Sequence, residues 1–131
     1  MTTATDLRLS KLHQVALSVD DLDRAVAFYR DVLGVPFIAK YDPPGLALFD
    51  MDGVRLMLSN VEEESGEHHS APLYFAVDDI DAAHRALLAK GVVFTHDPHV
   101  IHTDAEGVEE WMGFFRDPDQ HVLAIASKRA T

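Results

Sequence analysis

The chain contains no cysteine, which excludes disulfides, thiolate metal sites and a cysteine nucleophile together. It is also short of positive charge: 11 Lys and Arg stand against 22 Asp and Glu, for a net charge of -11. That sign repels phosphate backbones and anionic lipid surfaces, so neither nucleic acid nor membrane is expected as a partner. No apolar run approaches the ~20 residues needed to cross a bilayer. The opening Met1-Thr-Thr-Ala-Thr-Asp6 lacks the basic and apolar regions of a secretory signal, and the expected location is the cytoplasm. There is no Ser-His-Asp order, no glycine-rich phosphate loop and no basic helix; Pro44-Gly45 and Asp52-Gly53 read as turns.

What the chain does have is a repeat. Ser18-Val-Asp-Asp-Leu-Asp-Arg-Ala25 returns as Ala76-Val-Asp-Asp-Ile-Asp-Ala-Ala83, identical at five of eight positions. Each copy follows a short apolar run and leads into a helical pattern that ends at Gly34-Val35 or Gly91-Val92. Two copies this far apart do not make a solenoid. They read as two halves of one domain, and 131 residues with 47% apolar content suit a single core. A functional site is then expected where the halves meet.

The first half, about 8–60, predicts a strand over 15–19 and a helix capped by Asp20, with Leu22, Ala25, Val26, Tyr29 and Leu33 inward and Gly34 at its end. Strands follow over 36–41, 46–49 and 54–58. An acidic stretch over about 60–70, which includes His68-His69, reads as a linker. The second half, about 71–128, repeats the order with a strand over 72–77 and a helix over 79–90. Ile80, Ala83, Leu87 and Leu88 face inward there, and His84 is expected on the exposed side. Strands over 92–96, 109–116 and 121–126 complete it, with a loop over 97–108. Each half is therefore β-α-β-β-β. The fold class is α+β, with two such modules forming a cup of mixed, largely antiparallel sheet.

This duplicated plan resembles the vicinal oxygen chelate superfamily, which includes glyoxalase I, methylmalonyl-CoA epimerase, extradiol dioxygenases and the fosfomycin- and bleomycin-resistance proteins. The resemblance rests on the opening His13-Gln-Val-Ala-Leu-Ser-Val-Asp-Asp-Leu22, on Phe28-Tyr29 and Leu33-Gly34, on Val77-Asp-Asp-Ile80, and on Phe114-Phe-Arg-Asp-Pro-Asp119 before the last strand. It covers nearly the whole chain. It implies a glyoxalase-like small-molecule protein, and a homodimer, since members commonly pair. In metal-dependent members four inward-facing His, Gln or Glu residues bind a divalent ion. Carried over, those positions fall on Gln14, Met57, Pro72 and Ala124. Only Gln14 keeps a donor, and one amide oxygen is a poor site for an ion that needs several. No metal and no other cofactor is expected.

The expected binding residues are Gln14, Arg55, Met57, Tyr74, Met112, Phe114 and Ala124, in a mostly apolar cup with a few polar groups. Phe114 falls where the resemblance to extradiol dioxygenases implies a catalytic tyrosine; lacking a hydroxyl, it cannot donate a proton. Trp111, Gly113 and Phe115 alternate with these residues and are expected to pack on a helix. His96, His99 and His102 cluster within seven residues. Imidazole titrates near neutrality, so His99 and His102, with Glu110 at the rim, are the candidate catalytic groups, placed on a lid over the cup. The resulting function is sequestration of a small, largely apolar molecule, or a cofactorless lyase or isomerase reaction. The alternative is a divalent-metal lyase, isomerase or dioxygenase-type enzyme that uses His13, His99 or His102 as unusual ligands. A histidine at the final turn, His121, is expected to be structural.

Overall fold

Side-chain alternation builds the sheets of this protein, whose computed structural model describes residues 7–61 and 71–130. In the first module the strands are β1 (Gln14–Ser18), β2 (Phe37–Tyr41), β3 (Leu46–Met51) and β4 (Val54–Ser59). Val15 and Leu17 of β1, Ala47 and Phe49 of β3, and Leu56 and Leu58 of β4 point to one face and form the core. In the second module β5 (Leu73–Ala76), β6 (Phe94–Thr103), β7 (Val108–Arg116) and β8 (Val122–Ala130) do the same with Leu73, Phe75, Phe94, Trp111, Phe115, Leu123 and Ile125. The sheets have the orders β1-β4-β3-β2 and β5-β8-β7-β6. In each, the first and last strands of the module pair in parallel and the other pairs are antiparallel. The parallel pair needs a crossover, and the helix with its two following strands supplies it. The architecture is thus the expected α+β pair of β-α-β-β-β modules.

Helix α1 (Leu22–Ala27) is capped by Asp21, whose carboxylate accepts from Arg24 N at 3.1 Å, and not by Asp20 as expected. Asp20 instead donates its backbone N–H to Asp119 across the module boundary. The helix continues as one π-helical turn, Phe28–Val32, and Gly34 ends it at φ 74°. Helix α2 (Ile80–Ala89) has Asp79 as its cap. Ile80 is buried and Ala83 and Leu87 pack on the core, while Leu88 is 46% exposed, contrary to the expected inward set. His84, four residues after Ile80, shares the sheet-facing side and is half-buried rather than exposed. Its ring stands edge-on to Phe94 at 4.5 Å. The acidic segment 62–70, with His68-His69, lies outside the described residues.

The largest departure from expectation is β6. The segment read as a loop from Asp97 is strand as far as Thr103, and only a tight turn follows, where Asp104 accepts from Glu106 N and Val108 N. Pro98 is tolerated because β6 is the sheet's edge strand, where a missing N–H costs no ladder bond. Gly113 on β7 explains how β6 packs so closely, since a Cβ there would lie 3.0 Å from Pro98 Cγ and 3.2 Å from Phe94 Cε2. His99 and His102 are therefore fixed on a strand and do not form a mobile lid.

The modules are joined at the turn after β7. Asp117 is 2% exposed and accepts from Tyr29 of the first module at 2.7 Å. Its other oxygen accepts from the N–H groups of Asp119 and His121, each at 2.9 Å. His121 is structural, as expected: its Nε2–H donates to Ser18 O at 2.7 Å. One hydrophobic cluster spans both modules around this junction, from Tyr29 and Phe49 to Ile80 and Phe115.

Candidate functional site

The faces turned away from the helices carry the expected site residues in two groups, one on each sheet. On the first sheet Gln14 is in register with Arg55, and Ala16 with Met57. Arg55 Nε donates to Gln14 Oε1 at 2.7 Å, and Gln14 Nε2 donates to Met57 Sδ at 3.9 Å. The one donor retained from the inherited metal positions is thus already engaged by a guanidinium. Pro72 precedes β5, and Ala124 is a buried methyl. These four residues do not fit a divalent metal.

On the second sheet a row runs straight across all four strands: Tyr74, Ala124, Phe114 and His96 are in register. Ala124 is fully buried, and its small side chain leaves room for the flanking rings of Tyr74 and Phe114 to meet edge-to-face at 6.1 Å. His96 stands edge-on to Phe114 from the other side at 6.0 Å. The next row is Ala126, Met112 and His99, and the one beyond is Lys128, Glu110 and His102. A concavity of about 340 Å³ opens over Phe114 and His96, lined also by Thr95, His99, Arg116 and Val122.

His99 Nδ1 lies 2.7 Å from Asp97 O. A carbonyl only accepts, so the ring carries its proton on Nδ1 and leaves the Nε2 lone pair free to act as a base or acceptor. His102 lies two rows beyond Phe114, beside Glu110, away from the residues lining the concavity. His13 sits ahead of β1, on the other sheet, where its carbonyl accepts from Arg55 N. Among the described residues no three His, Asp or Glu side chains come together as a metal-binding group, so His13, His99 and His102 are not assembled as one.

The structure therefore joins Gln14, Arg55 and Met57 in one set, and Tyr74, Ala124, Phe114 and Met112 in another. No strand of one sheet pairs with a strand of the other. Sequence reasoning placed Val122 in the cup and His96 in the histidine cluster, but selected neither Thr95 nor Arg116 as a site residue. The signal for β6, which carries Thr95, was present in His96, His99 and His102, whose spacing of three fits a strand only if bulges intervene. Register shifts occur between His96 and His99 and between Val100 and His102, and they return the imidazoles to one face.

A profile of the Glyoxalase/Bleomycin resistance protein/Dioxygenase superfamily matches residues 11–125. The chain is 32% identical over 127 residues to the uncharacterized protein YraH of Bacillus subtilis, covering 88% of this chain and 96% of that protein. It is 24% identical to a lactoylglutathione lyase of Schizosaccharomyces pombe, covering 100% of this chain and 52% of that protein, so it spans about half of that relative's length. Among solved structures, a lactoylglutathione lyase from Agrobacterium tumefaciens superimposes with a TM-score of 0.71 at 26% identity, covering 92% of this chain and 95% of that one. No helix among the described residues is long and apolar enough to cross a membrane.

Proposed function

The chain belongs to the Glyoxalase/Bleomycin resistance protein/Dioxygenase superfamily, and from that premise we propose that it binds a small, largely apolar molecule without the superfamily's usual quartet of metal ligands. The observation that carries this reading is the pair of replacements just described. Arg55 occupies the oxygen of Gln14, and a ring row of Tyr74, Phe114 and His96 lies in register across the second sheet, with the buried methyl of Ala124 in place of a ligand. The phenyl ring of Phe114 and the methyl of Ala124 offer apolar surface and no oxygen or imidazole donor for a divalent ion.

Sequestration needs no more than this. A cofactorless lyase or isomerase reaction needs a base as well, and His99 Nε2 is the group that supports it, with Glu110 and His102 as a further acid–base pair toward the rim. A protein that only sequesters loses little when His99→Ala is made, whereas an enzyme loses turnover by roughly 10²-fold or more.

The reading also includes a homodimer. Strands β1, β2, β5 and β6 lie at the sheet edges with no strand on their outer sides among the described residues, and apolar side chains of β2 such as Ile38 and Tyr41 are each 52% exposed. Sedimentation should give about 29 kDa, twice the 14.5 kDa chain; a single species of chain mass at micromolar concentration would refute pairing.

Elemental analysis tests the metal half of the proposal. Protein purified without chelator or histidine tag should carry clearly substoichiometric Ni, Zn, Fe, Mn and Co. One equivalent of metal, lost on Gln14→Ala, would overturn it.

A further inference from the structure

We propose that the concavity on the second sheet selects ligands that carry a carboxylate or similar anionic group beside a flat apolar portion. This rests on the small-molecule reading above and adds the charge of the ligand. The chain carries 22 acidic against 11 basic residues, yet among the described residues no carboxylate lines the concavity. Its ionisable lining residues are His96, His99 and Arg116, all cationic or able to become so.

Three acids on the neighbouring strands and turn are engaged elsewhere. Asp97 turns its carboxylate to His84, 3.3 Å away, toward the helix side of β6. Asp117 is buried with Tyr29 and two backbone N–H groups. Glu110 lies beyond Met112 and is flanked in register by Lys128 and His102. Arg116 is held in place by one bond, from Nη1 to Gln120 O at 3.1 Å, and its remaining N–H groups donate to nothing among the described residues. A guanidinium anchored at one nitrogen and open at the others is prepared to grip a carboxylate in the bidentate manner. Phe114 and Val122 supply the apolar floor beside it. In an acidic protein, local cationic character of this kind favours anions only at close range, so it acts on bound ligand rather than by long-range steering.

Three probes of one shape and different charge test this: naphthalene carboxylate, naphthalene carboxamide and naphthylmethylammonium, titrated by calorimetry into the full chain at neutral pH. The carboxylate should bind roughly tenfold or more tighter than the amide, the worth of one charge-assisted hydrogen bond, and the ammonium most weakly. Arg116→Gln should remove about that factor for the carboxylate and weaken the amide by clearly less. Arg85→Gln, which makes the same change of net charge at an exposed helix position, should change neither. Equal binding of all three probes, or a carboxylate affinity indifferent to Arg116→Gln, overturns the charge preference alone. Failure of all three to bind overturns the small-molecule reading and this inference with it.

Discussion

Phe114→Asp should abolish binding of a neutral aromatic probe such as naphthalene carboxamide, a loss of at least about a hundredfold. Burying an aromatic ring against Phe114 is worth a few kcal/mol at ~25 cal/mol per Å². The edge-to-face contacts of Phe114 with Tyr74 and His96 add to the platform that a ligand meets. An aspartate removes that surface and places a charge that must be desolvated beneath the ligand. The fold should survive, because Phe114 points away from the helix side, where Phe115 is 1% exposed and belongs to the core. Circular dichroism should keep its native form and the thermal midpoint should fall by only a few degrees. Phe114→Leu should retain most of the affinity, which separates lost apolar surface from lost shape. An Asp variant that binds as tightly as the parent would show that the row Tyr74-Ala124-Phe114-His96 is not the site.

That row was half-legible in the chain. Alternation along Glu110, Met112 and Phe114 against Trp111, Gly113 and Phe115 is a strict period of two, and the structure keeps the two sets on opposite faces. The repeated Val-Asp-Asp-Leu/Ile-Asp segment located both strand–helix junctions, because an aspartate cap ahead of an apolar residue is a local signal independent of tertiary context. Where two aspartates compete, as at Asp20 and Asp21, local rules do not choose; the choice followed from Asp119, ninety-nine residues away, which takes the N–H of Asp20. β6 was hidden for a related reason. Pro98 and the bulged register erase the alternation that marks a strand, and neither an edge position nor a glycine opposite the proline can be read from neighbours in sequence. Arg116 was in view within Phe-Arg-Asp-Pro, but its availability depends on a backbone bond to Gln120 that only the folded turn reveals. The engagement of Gln14 by Arg55 likewise needed the parallel register of β1 with β4.

The largest loss of stability should come from Asp117→Ala, about 3–5 kcal/mol, the cost of breaking a buried, fully hydrogen-bonded charged group. The carboxylate has three partners, and the variant strands all of them: the Tyr29 hydroxyl and the N–H groups of Asp119 and His121. Against a total of roughly 5–15 kcal/mol for a domain of this kind, that is a large share. Urea unfolding should show a much lower midpoint, and the turn that carries Asp119 and His121, both bonded to the first module, should lose its register. Tyr29→Phe is the milder test. It removes one donor while both backbone bonds to Asp117 remain, and should cost about 1.5–3 kcal/mol. The phenol also sets a pH dependence whose sign is fixed. Burial first, and the Asp117 charge second, raise the Tyr29 pKa far above its ordinary 10.0, so the folded chain keeps it protonated in alkali while the unfolded chain ionises it. Its contribution is therefore fully present below about pH 10 and declines as the pH rises beyond that. Tyr29→Phe should flatten the alkaline limb of the stability curve in proportion. Equal alkaline slopes in parent and variant, or an Asp117→Ala protein as stable as the parent, would mean that the bond between Tyr29 and Asp117 does not hold the two modules together.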